Sequence, residues 1–434
     1  MKPWENGVLK VSENHRYLQN GEVPFFWLGD TEWLIFSNIQ EQEAYACLKN
    51  RAEKGFNVIQ AVLVYATQEL SDINKMSLRN CDYSNLSYWE HCDRVIDMAE
   101  ELGMYMALLP SWGSLVKRGI INSENIERYG AFLAKRYGNR KNVIWLLGGD
   151  IKAGDHRPIY DALAAVLREN TCNQLIGFHP FGRCSSTMWF ADAEWLDFNM
   201  FQSGHRRYDQ ASLGSWDDNA VKDGFLGEDN WRYVLRDREL CDKPTLDGEP
   251  SYERILQGLH DKTQPYWTAR DVRRYAYWSV FAGACGHTYG DNSVMQYYTE
   301  ESKGVTYGAE DHWQDALHHE GSGQMGHLKR LMESVDFTNG TIRDDLLVNG
   351  QKEKYERIAV FAGKDFLLAY DYLGIPFEID LSQYPDAELW YFMPATGVFR
   401  YIGKTDGGRY TCRPPRCYDE NSDIVLVVKI PLNP

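Results

Sequence analysis

"VIWLLGGD", residues 143–150, decides the fold. An unbroken apolar run with no polar alternation marks a strand buried on both faces, as in a parallel sheet covered by helices. The run ends in two glycines and a carboxylate. Burying an unpaired Asp costs several kcal/mol or raises its pKa, so Asp150 requires a partner or a chemical role.

Similar runs flank it on both sides. "VPFFWLGD" (23–30), "NVIQAVLVY" (57–65) and "YMALLPSW" (105–112) precede it, and "LIGFHP" (175–180), "LDFNMFQSGH" (196–205), "KPTLDGEP" (243–250) and "CGHTYG" (285–290) follow. Amphipathic stretches separate several of them, at 41–55, 89–102, 123–137, 157–169 and 269–284. Eight such units predict a (β/α)₈ TIM barrel over residues 1–340. The polar residues cluster where each strand ends, which in a barrel is the active-site face. Beyond the polar stretch 334–345 the pattern changes to short period-two runs broken by Gly, Pro and Asn, such as "RIAVFAG" and "DIVLVVKI". This predicts a C-terminal all-β sandwich over 341–434.

The chain has 434 residues and a formal net charge of -16, with 14 Trp and 27 Tyr. That charge excludes the basic footprint needed for nucleic acid or an anionic membrane. Abundant amphipathic rings suit a glycan partner, an oligosaccharide or polysaccharide. The nine Cys lack CxxC pairs and their count is odd, so reduced thiols and a cytoplasmic address are expected. The first fifteen residues, "MKPWENGVLKVSENH", lack an apolar signal core, and no run reaches the ~20 apolar residues of a membrane span. The sequence leaves the oligomeric state open.

Asp150 ends strand four and Glu249 ends strand seven. Three steps around an eight-stranded ring place them on nearly opposite walls of one mouth. Glycoside hydrolysis needs such a pair, one carboxyl protonated and one ionised. Apolar surroundings that include Trp145 would keep one proton in place. Asp247, two residues before Glu249, is a second candidate expected on the same inward face. Asp30, Thr31 and Trp33 in "GDTEW" close strand one, where a carboxylate can hold a sugar hydroxyl. Tyr65 and Trp112 end strands two and three and offer flat faces for stacking. His179, His205 and His287 end strands five, six and eight. Gln202, Tyr289 and Asn292 are further hydroxyl-binding candidates. No H-x-H or H-x-x-x-H spacing supports a metal centre, and neither a metal nor a cofactor is expected. A serine nucleophile is set aside because GxSxG is absent and Ser185 and Ser186 lie in a loop. The irregular stretch 206–232 is placed to wall the site.

Several of these motifs, among them "FFWLGDTEW", "RAEKGFNVIQAV", "NVIWLLGGD", "FHPFGRCSS", "WLDFNMFQSGH", "KPTLDGEPSYE" and "VRRYAYWSVFAGACGHTYG", occur in the order of the apiosidase-like family, glycoside hydrolase family 140. The chain closely resembles that family over almost the whole barrel. The resemblance implies a glycosidase that releases apiose from pectic side chains and carries a C-terminal sandwich of a type named for collagen binding. It also implies that the aspartate of "GGD" and the glutamate of "DGEP", here Asp150 and Glu249, are the catalytic carboxylates. The broader cellulase-like clan uses Asn-Glu where this chain has Gly149-Asp150, so the shorter acid leaves the stereochemistry open, with retention favoured. Three alternatives remain: a glycosidase of the same architecture acting on another pentose or a deoxyhexose, a non-catalytic glycan-binding protein, and a metal-dependent hydrolase.

Overall fold

The computed structural model of the chain describes residues 2–65, 86–220, 224–302, 307–415 and 421–431. Eight parallel strands form the barrel: β1 (Trp27–Thr31), β2 (Val58–Val62), β3 (Tyr105–Leu109), β4 (Val143–Ile151), β5 (Ile176–Pro180), β6 (Asn199–Gln202), β7 (Thr245–Asp247) and β8 (Gly286–Tyr289). The hydrogen-bonded order runs β5-β4-β3-β2-β1-β8-β7-β6, so β1 pairs with both β2 and β8. A ladder is missing between β5 and β6. There Asp197 closes the ring instead, its amide donating to Ile176 O (2.9 Å) while its carboxylate accepts from Ile176 N (2.7 Å). The first barrel strand is shorter than the sequence pattern implied. Val23–Phe25 belongs to a separate antiparallel sheet with Leu9–Val11 and Leu18–Asn20, and the barrel strand starts only at Trp27.

Among the described residues, seven longer helices surround the strands: α1 (Glu41–Glu53), α2 (Leu86–Glu101), α3 (Ile126–Tyr137), α4 (Arg157–Asn170), α5 (Asn230–Leu240), α6 (Ala269–Phe281) and α7 (Glu320–Glu333). In α3 the buried residues are Ile126, Tyr129, Gly130, Leu133, Ala134 and Tyr137, the i, i+3, i+4 stripe of a helix with one face on a sheet. Helix α6 is different, since every residue from Val272 to Phe281 is buried. A helix buried all round, here with Arg273 and Arg274 paired to acids, must be covered on both sides. The barrel covers one side of α6 and the C-terminal domain covers the other.

That domain holds β9 (Thr341–Ile342), β10 (Ile358–Ala362), β11 (Phe366–Asp371), β12 (Phe377–Asp380), β13 (Glu388–Met393), β14 (Val398–Lys404), β15 (Arg409–Cys412) and β16 (Ile424–Lys429). Six strands form an antiparallel sheet in the order β9-β10-β11-β16-β13-β14, and β12 and β15 pair over its outer face. Tyr277 of α6 stacks on Tyr370 of β11 with centroids 4.6 Å apart. Next to them Arg273 makes a fully buried bidentate pair with Asp423 (2.7 and 2.9 Å), to which Tyr370 also donates (3.1 Å). The core is therefore continuous from barrel to sandwich, and a second core fills the space between the two sheets. The described cysteines are unpaired, and all but Cys172 are buried. No described helix is long and apolar enough to cross a membrane.

Candidate active site

Asp150 reaches the barrel mouth because β4 bulges at its end. Gly148 pairs with His179 and Ile151 with Pro180, so Gly149 and Asp150 are extra to the register. All three residues of "GGD" have positive φ, +99° and +93° for the glycines and 49° for Asp150. A Cβ on Gly148 would lie 2.3 Å from His179 O, and one on Gly149 would lie 2.8 Å from the Trp112 ring. Only glycine fits both positions. Asp tolerates the left-handed conformation better than most residues, and the bulge leaves its Oδ1 buried without a hydrogen-bond partner.

Glu249 stands two residues past β7 and is 5% exposed. Its backbone is fixed by Gly204 N donating to Glu249 O (3.0 Å), and Gly248 N donates to Phe201 O (2.9 Å). His205 Nε2 lies 3.0 Å from Oε1. The Tyr252 amide donates to His205 Nδ1 (3.4 Å), which assigns the imidazole proton to Nε2 and makes it the donor to Glu249. His179 Nε2 lies 3.2 Å from Oε2 but is not aligned as a hydrogen bond, so Oε2 keeps a free lone pair. Asp150, His179 and Glu249 each place a polar atom within 4.8 Å of the others.

The two carboxyls are driven apart in proton affinity. Burial, and then the charge of Glu249, push Asp150 up to about 6 against the weaker pull of His179, Gln202 and His205. Burial acts on Glu249 in the same direction, but the hydrogen bond from His205 and the nearby His179 imidazole outweigh it and bring Glu249 down to about 2. The result is a proton donor beside an anion, the division of labour that environment alone can impose on two like groups.

Both open into a cavity of about 250 Å³. Trp33, Tyr65 and Trp112 form one wall, with Trp112 5.3 Å from each of the other two rings. Gln202 and His205 lie on the strand-six side, Tyr252 packs edge-on against the His205 ring (4.7 Å), and Met295 and Tyr307 also line the cavity. The stretch after β6 supplies the remaining wall through Arg206, Trp216 and Asp217, as its position predicted. Arg206 and Asp217 form a buried bidentate pair, and Arg183 donates to the carbonyls of Gln210 and Ala211 (3.0 Å each), so this wall is held from beneath. Part of the same stretch is helical, since α5 begins at Asn230.

The structure thus brings Asp150, Glu249, Trp33, Tyr65, Trp112, His179, Gln202 and His205 together. Other candidates face the helix layer. Asp30 is fully buried and bonded to Arg51 of α1, and its Oδ1 accepts from Thr31 N (2.8 Å), which leaves it no route to a ligand. Tyr289 donates to Glu253 (2.6 Å). His287 lies 3.5 Å from Ser279 Oγ on α6, and burial brings it down to about 3. Asp247 does not share an inward face with Glu249: it accepts from Ser203 Oγ (2.8 Å) and from Asn230 of α5 (3.0 Å). Trp145 donates to Gln174 (2.7 Å) beside α3 and does not border Asp150's cavity. Asn292 holds Arg254 O and Tyr307 O (3.2 and 3.1 Å), so it supports the Tyr307 wall from behind. Ser185 is bound to Asp237. Tyr252, Tyr307 and the Arg206–Asp217 pair were not anticipated. Tyr252, three positions after Glu249 in "GEPSY", is the one that position along the chain could have indicated.

Solved structures carry the same architecture. A chain described as "Glycoside hydrolase" is 39% identical, with a TM-score of 0.90 and coverage of 99% of this chain and 98% of that one. A glycoside hydrolase family 5 structure from Bacteroides vulgatus ATCC 8482 is 38% identical, with a TM-score of 0.91 and coverage of 99% and 95%. Another B. vulgatus structure, 12% identical with a TM-score of 0.70, covers 99% of this chain and 84% of its own and shares the fold. Fold and relatives together define a glycoside hydrolase. The family model "Apiosidase-like, catalytic domain" matches residues 12–339, and the chain belongs to that family. A second model, "Putative collagen-binding domain of a collagenase", matches residues 343–429. No curated protein matches the sequence.

Proposed function

We propose that the protein is a retaining glycosidase that removes a terminal sugar from pectic glycans, with an apiosyl linkage as its preferred substrate. Asp150 is the acid/base and Glu249 the nucleophile. The observation that carries this reading is the approach of the two carboxyls, with oxygens within 4.8 Å of each other and opposite shifts in proton affinity. Retaining enzymes keep their carboxyls about 5 to 5.5 Å apart, whereas inverting ones need ~6.5 Å or more to admit water. Glu249 Oε2, the oxygen without an aligned donor, attacks the anomeric carbon as Asp150 protonates the departing oxygen. Asp150, now ionised, takes a proton from water, and that water releases the sugar from Glu249. His205 holds Oε1 throughout, which orients the attacking lone pair. A cavity of about 250 Å³ lies below the ~300–1,000 Å³ of larger ligand sites, which favours one terminal sugar over a long chain.

A panel of pectic oligosaccharides carrying terminal apiose, other pentoses or deoxyhexoses tests the substrate. Release of apiose alone supports the proposal. Release of a different sugar keeps the mechanism and replaces the substrate, whereas tight binding of a glycan without turnover replaces the enzyme with a lectin-like protein.

The roles fix the pH dependence. Asp150 must be protonated, so activity is lost as pH rises through about 6, and Glu249 must be ionised, so activity is lost as pH falls through about 2. A profile of kcat/KM is expected to fall about tenfold per unit on the alkaline side. A plateau continuing to about pH 8 would contradict Asp150 as the acid.

The approach of Asp150, His179 and Glu249 also favours a second reading, since two carboxylates and an imidazole at this spacing can hold a divalent cation. The proposal predicts unchanged kcat after dialysis against EDTA. Loss of activity restored by zinc would replace the carboxylate mechanism with a metal-dependent one.

A further inference from the structure

We propose that the C-terminal sandwich positions one wall of the catalytic cavity, through the Tyr355 hydroxyl acting on the buried carboxylate of Glu228. The inference rests on reading the cavity beside Asp150 and Glu249 as the substrate site.

Glu228 sits in the short turn Gly227–Asp229 that leads into α5 and is 1% exposed. Its Oε1 accepts from Arg274 Nη2 of α6 (2.8 Å) and from Tyr355 Oη of the sandwich (2.8 Å). Its Oε2 accepts from the backbone amide of Tyr208. One carboxylate thus ties together the barrel helix, the sandwich and the chain segment after β6. Tyr208 is anchored a second time, through its own hydroxyl to Asp229 (2.9 Å), and its ring meets Tyr355 edge-on at 5.4 Å. The Lys354 ammonium lies 5.3 Å from the Tyr208 ring, and the Arg274 guanidinium lies 4.8 Å from Tyr355 and 4.9 Å from Tyr372.

Tyr208 is three positions after His205, the donor to Glu249, and two after Arg206, whose pair with Asp217 walls the cavity. The other described anchors of this segment, Arg183, Gln257 and Gln264, belong to the barrel. Tyr355, with Lys354 over the Tyr208 ring, is therefore the sandwich's hold on it, and of the described sandwich residues Tyr355 alone reaches the Glu228 carboxylate. The hold is separate from the bulk of the interface: Tyr277, Tyr370, Arg273 and Asp423 lie together and none touches Glu228. Tyr355 belongs to neither sheet but to the turn Lys354–Glu356, whose first residue has a left-handed φ of 48°. A residue needed only to fill the interface would not require a hydroxyl aimed at that carboxylate.

The test compares Tyr355→Phe with Tyr370→Phe, a control that removes an interface hydroxyl bonded to Asp423 and not to Glu228. Hydrogen exchange of the full-length protein without ligand should show the amides of residues 207–210 exchanging about tenfold faster in Tyr355→Phe, the scale of one lost bond to a charged group. Tyr370→Phe should leave them unchanged. On whichever panel oligosaccharide the wild type cleaves, Tyr355→Phe should raise KM about tenfold with kcat within about threefold, since the wall binds and the carboxylates react. Unchanged exchange at 207–210, or equal acceleration in both variants, would overturn the proposal. If the wild type cleaves nothing on the panel, the functional reading falls while the exchange result still decides the structural one.

Discussion

Replacing Glu249 by Gln is expected to lower kcat by roughly three orders of magnitude or more, the upper range for removal of a group that acts directly on the substrate and equivalent to about 4 kcal/mol of barrier. The carboxamide has nearly the same shape, and its oxygen can still accept from His205 at the position of Oε1. It cannot attack an anomeric carbon. The fold should survive, because the backbone at this position is held through Glu249 O by Gly204 N. Substrate affinity should change little, so the loss appears in kcat and not in KM. The substitution also removes the charge that, after burial, does most to raise Asp150. Titration of the Asp150 carboxyl in the variant, followed by carbon NMR, should therefore move to lower pH than in the wild type. A variant that keeps more than about a tenth of wild-type kcat would remove Glu249 from the nucleophile's role.

Asp150→Asn should cost a similar factor on natural glycans, but its loss depends on the leaving group. A sugar alkoxide needs a proton as it departs and an acidic phenol does not. With an activated aryl glycoside the first step should run near its wild-type rate, and the second should stall for want of a base, so that the glycosyl-enzyme accumulates. Azide, which needs no base, should restore turnover and give a product of retained configuration. The substitution is clean on structural grounds. Asp150 has a φ of 49°, which Asn adopts at least as readily, and its Oδ1 makes no hydrogen bond that would be lost. Equal losses on natural and activated substrates would contradict the acid role.

The barrel was legible because most of its strands appear as short runs bounded by turn residues and alternating with helical stretches, although the start of the first run, Val23–Phe25, joins a separate sheet. "GGD" was legible as a site because a carboxylate at the end of an apolar run needs an explanation. The reason for its two glycines became visible only in three dimensions: a two-residue bulge pressed against His179 O and the Trp112 ring. Misplaced candidates share a cause. Along a strand alternate side chains face opposite layers, and position near a strand end does not say which layer a residue faces. Asp30, His287 and Tyr289 point toward the helices, where Arg51, Ser279 and Glu253 wait for them. Asp247 and Glu249 have the same parity, yet Glu249 lies beyond the strand, where parity no longer holds. Tyr307 and the Arg206–Asp217 pair come from irregular chain, for which periodicity gives no signal. The helical character of α6 was readable, but its burial on both sides depended on a sandwich nearly a hundred residues away in sequence.

The anomeric configuration of the sugar at the instant of release tests the paired-carboxylate account most directly. Proton NMR, recorded in the first turnovers before mutarotation, should show the released sugar with the configuration it had in the glycoside. Release with the opposite configuration would mean that water and not Glu249 attacks, and that carboxyl oxygens within 4.8 Å of each other do not work as the nucleophile and acid proposed for them.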